Sequence, residues 1–265
     1  MGTSQPAQKS GRIQGPVGAI YIDNNNSDIQ EGIPVLFLHS FGGSIEHWQQ
    51  QLEYVRQHRQ AAAFDFRGHG QSEASDNASY SVEALVKDVE AVMDELGWQR
   101  VVLVGHSMGA TTALAYADAH PNRAAGLILA GSPGKSDPAQ AKQIMAALES
   151  EQYPHVMADY MKRILTGARR PTDEIVMRGV QEISRPVSLQ IIKGQFDYDP
   201  LPAISRIGVP VMIVYADGEL ELPNALSRQA KHIPSRHIEG TSHWMHMDKG
   251  DEFNKVLDEF LSAIK

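Results

Sequence analysis

Val101-Val102-Leu103-Val104 runs without a spacer into Gly105-His106-Ser107-Met108-Gly109, and then into an alanine-rich stretch that ends at His120-Pro121. A short apolar run of this kind suits a strand buried on both faces, and the alanine-rich stretch suits a helix. Joining the two so abruptly requires a turn whose apex residue, Ser107, takes a strained backbone conformation. Only very small residues two positions to either side avoid a clash, which accounts for Gly105 and Gly109. The turn lifts the Ser107 hydroxyl clear of the C-terminal edge of a sheet. It also aims the Met108 N–H at whatever bonds to that hydroxyl.

The rest of the chain repeats the strand–helix rhythm. Val35-Leu36-Phe37-Leu38, Ala61-Ala62-Ala63-Phe64, Gly126 to Ala130 and Val211 to Tyr215 are further short apolar runs, and Ala19 to Asp23 reads as a strand ended by the turn-rich Asn24 to Asp28. Leu85, Val89, Val92, Met93 and Leu96 recur at helical spacing, with Ser81 as N-cap and Gly97 as stop. Asp251 to Ile264 repeats the pattern through Phe253, Val256, Leu257 and Phe260. Strands alternating with helices predict an α/β fold with a mostly parallel, doubly wound sheet. With 265 residues, 42% of them hydrophobic, the chain is long enough for one such domain and an insertion.

That insertion is expected at 134–205, where the rhythm breaks. Asp137 to Glu149, Tyr153 to Thr166 and Thr172 to Ser184 read as three helices, punctuated by Pro154, Pro171 and Pro186. The division is therefore a loose arm at 1–16, an α/β core at 17–133 and 206–265, and a helical insertion at 134–205.

A formal net charge of −8 disfavours nucleic acid and anionic membranes as partners. The absence of cysteine excludes disulfides, thiol nucleophiles and thiolate metal sites. No signal-like or membrane-length apolar run stands out, and a cytoplasmic protein is expected. No histidine spacing carries a metal-ligand signature, and the chemistry below requires neither metal nor organic cofactor. The expected partner is a small-molecule substrate; oligomeric state is not legible.

A serine needs a base. His243, in Gly240-Thr241-Ser242-His243-Trp244-Met245-His246, follows the short strand candidate Arg236-His237-Ile238 and precedes the last helix. That places it in a loop at the same sheet edge as Ser107, with His246 behind. The base needs a carboxylate to hold its tautomer. The strand Val211 to Ala216 runs into Asp217-Gly218-Glu219-Leu220-Glu221, offering three acids. The loop His39-Ser40-Phe41-Gly42-Gly43 after Leu38 supplies the Phe41 N–H as a second oxyanion donor beside Met108.

In these blocks, and in Asp65-Phe66-Arg67-Gly68-His69-Gly70-Gln71-Ser72, the sequence resembles the α/β-hydrolase superfamily from about Ile33 onward. The resemblance implies the α/β-hydrolase fold, a cap formed by the helical insertion, and catalysis by Ser107 and His243. In that family the Asp65–Ser72 block is a structural loop, which makes Arg67 and His69 scaffold. Relatives with Asp at the elbow, the haloalkane dehalogenases and epoxide hydrolases, form alkyl esters; Ser107 favours acyl transfer. Family members often read strand, Gly-x-x-Asp, x-x-Pro. Laid without gaps onto Tyr215 to Pro223, the Asp position falls on Glu219, with Asp217 the alternative and Glu221 the remaining choice. Ser40 stands where the family usually has glycine and adds a hydroxyl near the oxyanion or the substrate.

Trp48, Tyr160 and Trp244 are candidates to line an apolar substrate pocket, with Met157 and Met161 beside them. The expected activity is hydrolysis of a small or medium apolar carboxylic ester through an acyl-serine. Carbon–carbon hydrolysis of a ring-cleavage product and cofactor-free haloperoxidase or perhydrolase chemistry use the same groups. A ligand sensor that retains the triad is the alternative outside enzymes.

Overall fold

The structure is a computed structural model that describes residues 10–24, 32–73 and 77–264. Its frame is one eight-stranded sheet in the order β1-β2-β4-β3-β5-β6-β7-β8. In chain order the strands are β1 (Gly11–Gln14), β2 (Ala19–Asp23), β3 (Val35–Leu38), β4 (Ala61–Phe64), β5 (Val101–His106), β6 (Ala124–Ala130), β7 (Val211–Tyr215) and β8 (Ser235–His237). The pairs from β4 to β8 are all parallel, and β1 and β2 add an antiparallel edge.

Side-chain alternation explains why the central runs carry no polar residue. Leu36, Leu38, Leu103, Leu127 and Leu129 enter one apolar layer, while Val35, Phe37, Val102, Val104 and Ile128 enter the other. A strand covered on both faces must be apolar at every position. Helices complete each layer. The helices before the insertion are α1 (Gln49–Val55), α2 (Val82–Glu95) and α3 (Met108–Ala119). α2 and α3 pack on the first face. Ser81 caps α2 by accepting the Ala84 N–H at 3.3 Å.

Between β6 and β7 the insertion carries α4 (Pro138–Glu149), α5 (Tyr153–Ile164), α6 (Thr172–Glu182), α7 (Arg185–Asp197) and α8 (Pro200–Arg206). After β7 come α9 (Leu226–Gln229), α10 (Met245–Asp248) and α11 (Gly250–Ser262). α11 covers the second face together with α1; its Phe253, Val256, Leu257 and Phe260 lie in that layer. Each such side chain contributes about 1.5–3 kcal/mol over leaving it exposed.

Three expectations need correction or limits. Gly11–Gln14, assigned to a loose arm, is a strand paired antiparallel with Ala19–Ile22; residues 1–9 of that arm lie outside the described residues. The insertion holds five helices, not three, because its prolines start helices instead of ending them. Pro186 sits in the first turn of α7 behind a Ser184 cap, and Pro200 opens α8 behind an Asp199 cap. Proline loses nothing there, since a first-turn N–H has no helical partner anyway. Residues 25–28 of the expected Asn24–Asp28 turn lie outside the described residues.

Candidate active site

The C-terminal ends of β3, β5, β6 and β7 bring the candidate residues together. Ser107 joins β5 to α3 with φ 51° and ψ −113°, and among the described residues it is the one non-glycine with positive φ. Its own N–H is satisfied by the Ala130 carbonyl of β6 at 2.8 Å. The flanking glycines are there for close approach. A Cβ on Gly105 would overlap the Gly109 carbonyl, and one on Gly109 would overlap the Leu38 carbonyl. The start of α3 therefore rides directly on the end of β3, from which the Ser40–Phe41 loop continues. The Phe41 and Met108 N–H groups donate to no described residue. Ser40 is 2% exposed, and its Oγ has no partner among the described residues.

His243 accepts its place from three directions. Its Nδ1 lies 2.9 Å from Glu219 Oε1, and since a carboxylate only accepts, Nδ1 carries the proton and Nε2 is the free base. Its main-chain N–H donates to the Ile164 carbonyl at the end of α5 at 3.0 Å. Its carbonyl accepts from His106 Nε2 at 2.9 Å, and the two imidazoles lie 4.6 Å apart. One residue earlier, Ser242 donates its N–H and Oγ to Asp248 Oδ2 at 2.8 and 2.6 Å, while Asp248 Oδ1 accepts the Arg169 N–H of the insertion at 2.9 Å. The insertion thus helps to hold the histidine loop. It also meets the Ser40–Phe41 side: a Cβ on Gly179 of α6 would overlap the Gly42 carbonyl, and Arg178 pairs with Glu46 at 2.6 Å.

The acids separate by their partners. Glu219 is buried on the helical turn that follows β7 and reaches His243. Asp217 instead bonds His237 Nε2 at 2.7 Å and the Gly240 N–H at 3.0 Å, which ties β8 to the histidine loop from the outside. Glu221 is 97% exposed and pairs with Arg228.

Of the pocket candidates, Trp48 is misplaced. It is fully buried in the second layer, stacked on His246 at 4.1 Å and close to Phe37 and Phe253. Its spacing after the loop reflects core packing beneath the site. Trp244 is also buried; it packs against Met161 and Val176 of the insertion and edge-on to His243 at 5.3 Å. Tyr160 remains 38% exposed on α5, under the Arg163 guanidinium. Its phenol pKa is raised, chiefly by burial of the hydroxyl and also by the Glu219 charge. Arg67 and His69 are buried; Arg67 forms a bidentate pair with Asp88 that closes at 2.6 Å. The sequence offered no signal for Ile164, whose bond to the histidine loop depends on how the insertion folds back, or for Asp248, which reaches Ser242 only through the turn into α10.

Burial holds His39, His106 and His246 neutral, with pKa values well below the usual imidazole range, and pushes His47 and His69 down to about 3 and about 4. Among the described residues, no cluster of three or more His, Asp or Glu side chains is arranged to hold a metal ion, and no helix is long and apolar enough to cross a membrane.

Residues 33–250 match the alpha/beta hydrolase fold family. Epoxide hydrolase 3 of Xenopus tropicalis is 25% identical over 86% of this chain and 71% of its own. The 2-hydroxy-6-oxo-2,4-heptadienoate hydrolase of Pseudomonas putida is 25% identical over 91% of this chain and 94% of its own. The enol-lactonase of Burkholderia xenovorans shares the fold with a TM-score of 0.78 at 21% identity, over 95% of this chain and all of that one. The sheet, the serine turn at its edge and this match together place the chain in one family: it belongs to the α/β hydrolases.

Proposed function

We propose that the protein is a serine hydrolase that cleaves a small or medium apolar carboxylic ester through an acyl-serine intermediate. The observation that carries this reading is the 2.9 Å bond from His243 Nδ1 to the buried Glu219, beside a serine held at positive φ on the sheet edge. In the first step His243 Nε2 takes the Ser107 proton as Oγ attacks the carbonyl carbon. The Phe41 and Met108 N–H groups receive the oxyanion, each such donor contributing about 3 kcal/mol to the transition state. The imidazolium, stabilised by Glu219, then protonates the departing alcohol. Water attacks the acyl-serine by the same route, giving its proton to His243 and returning the serine.

The Ser40 hydroxyl, unpartnered among the described residues and next in sequence to Phe41, is a further donor on the oxyanion side, and Tyr160 flanks the substrate from the insertion side, with Trp244 packed behind His243. Phe41, partly buried against the core, bounds the substrate from the other side. A second reading, hydrolysis of a carbon–carbon bond next to a carbonyl, draws on the Pseudomonas putida relative, which is similar along nearly the whole of both chains. It uses the same serine, histidine and oxyanion donors.

Turnover of a short-chain aryl ester, measured with Ser107→Ala alongside, tests the proposal. The variant is expected to lose at least about 1000-fold in kcat. Equal turnover by both proteins removes Ser107 from the chemistry. An inactive wild type that cleaves a vinylogous diketone shifts the reading to the carbon–carbon reaction.

A further inference from the structure

The G-x-S-x-G pattern leaves the position before the serine open to any residue. We infer that His106, at that position, is a positioning residue that sets the main chain of His243 and so the direction of its imidazole. The inference rests on the serine-hydrolase reading above and adds to it a group that touches neither substrate nor the reacting atoms.

Three observations converge. First, His106 Nε2 is 2.9 Å from the His243 carbonyl. A carbonyl only accepts, so His106 is the Nε2–H tautomer, and its Nδ1 has no partner among the described residues. Second, His106 is the last residue of β5 and fully buried; its backbone pairs with Ala130 of β6, and Gly105 just before it pairs with Leu38 of β3. A donor on so rigid a base transmits the position of the elbow to the loop opposite. Third, the space around the pair is filled. A Cβ on Gly131 would stand 2.7 Å from His243 Cε1 and 3.2 Å from His106 Cδ2, while Trp244 and His246 pack on the His106 ring at 5.6 and 4.8 Å. The two imidazoles therefore have one arrangement, and the hydrogen bond selects it.

Burial keeps His106 neutral, with its pKa well below the ordinary histidine value. The donor thus persists without placing a second positive charge beside the imidazolium that forms on His243. The linkage is also short in sequence terms: the nucleophile and the group that aims its base are adjacent residues. Any displacement of the elbow is followed by the base, which preserves their relative geometry. A misplacement of about 1 Å at such a pair costs on the order of 100-fold in rate.

The test uses three substitutions and one measurement on the unsubstituted protein. His106→Gln places an amide N–H near the position of Nε2. His106→Asn places it near Nδ1, too short to reach the carbonyl. His106→Leu removes it. Each is assayed for aryl-ester turnover and for the rate at which diethyl 4-nitrophenyl phosphate phosphorylates Ser107, with thermal unfolding measured in parallel. The expected result is a fall in kcat of about 10- to 100-fold for Asn and Leu, KM within about threefold of wild type, and substantial recovery in Gln. A purely structural role predicts no difference between Gln and Asn beyond their stabilities. Equal phosphorylation rates in all variants overturn the inference while leaving the serine-hydrolase reading intact. A wild type that is not phosphorylated at Ser107 overturns both. Independently of how the variants fold, 15N NMR of the wild-type histidines must show His106 as the Nε2–H tautomer; the Nδ1–H tautomer overturns the inference.

Discussion

The two halves of the candidate site are built by different means. The nucleophile half, from β5 through Ser107 into α3, is held by its own immediate neighbours: two glycines whose missing Cβ atoms let the turn close, and strands paired on either side. The histidine half is assembled from three distant segments, the turn after β7, the end of α5 and the loop at Arg169, together with Asp248 at the end of the following α10. A short stretch of sequence specifies the first half, whereas the second exists only after the chain has closed around it. The difference teaches that the halves should fail differently. Damage to the first disrupts folding and chemistry together, while damage to the second removes chemistry from a protein that remains folded.

The largest expected effect breaks the second half alone. Glu219→Gln leaves a side chain of the same shape that no longer fixes the His243 tautomer. It is expected to lower kcat about 1000- to 10,000-fold with little change in thermal stability. Asp217→Asn affects only bonds to His237 and Gly240 at the rim and is expected to keep kcat within about threefold of wild type. Steady-state kinetics on the pair decide the acid. A slow Asp217→Asn beside an active Glu219→Gln would reverse the assignment.

The next effect sharpens the contrast from the other side. Gly105→Ala drives a methyl group into the Gly109 carbonyl, which belongs to backbone and cannot move aside as a flexible side chain would. Stability is expected to fall by about 1–3 kcal/mol and activity with it. Chemical denaturation and ester turnover on the same preparation check this. An alanine variant of normal stability and full activity would show that the elbow is looser than its contacts imply.

The same contrast explains what could be read from the sequence. The core strands were legible because burial on both faces forces an unbroken apolar run, as in Val35–Leu38 and Val101–Val104. The elbow was legible because its constraint lies within five residues. Glu219 emerged only by registering the family pattern against three nearby acids, since the choice among them depends on which one the turn after β7 buries. Trp48 was misjudged because an indole near a catalytic loop looks the same whether it faces substrate or core. Gln49–Val55 and the fourth and fifth insertion helices were missed for local reasons. The first offers only Leu52 and Val55 as apolar markers, and the others open on prolines that read as breaks.

The smallest effect concerns what lies beneath both halves. His39, His47 and His69 support the Ser40–Phe41 side, and His106 and His246 the other; burial depresses the pKa of all five. On unfolding each returns toward 6.5, so below that pH the unfolded chain binds more protons than the folded one. Their contribution to stability is complete above about pH 6.5 and is lost as the pH falls toward the folded values, about 4 for His69 and about 3 for His47. Asp65 opposes them: burial raises it to about 6, so its contribution is present below 3.8 and lost as the pH rises through 6. Asp88 is raised in the same sense. Two carboxyls against five imidazoles leave the histidines dominant, and the melting temperature is expected to fall steadily from pH 7 to pH 5. His246 separates this effect from general acid damage, because neither of its ring nitrogens has a partner among the described residues and its ring stacks on Trp48. His246→Phe retains the stack and removes one proton-binding group from the unfolded chain. Its melting temperature relative to wild type is expected to rise as the pH is lowered from 7 to 5. A difference that stays constant with pH would mean that His246 binds protons equally in the folded and unfolded chain, and that the histidine loop rests on a solvated base rather than a dry one.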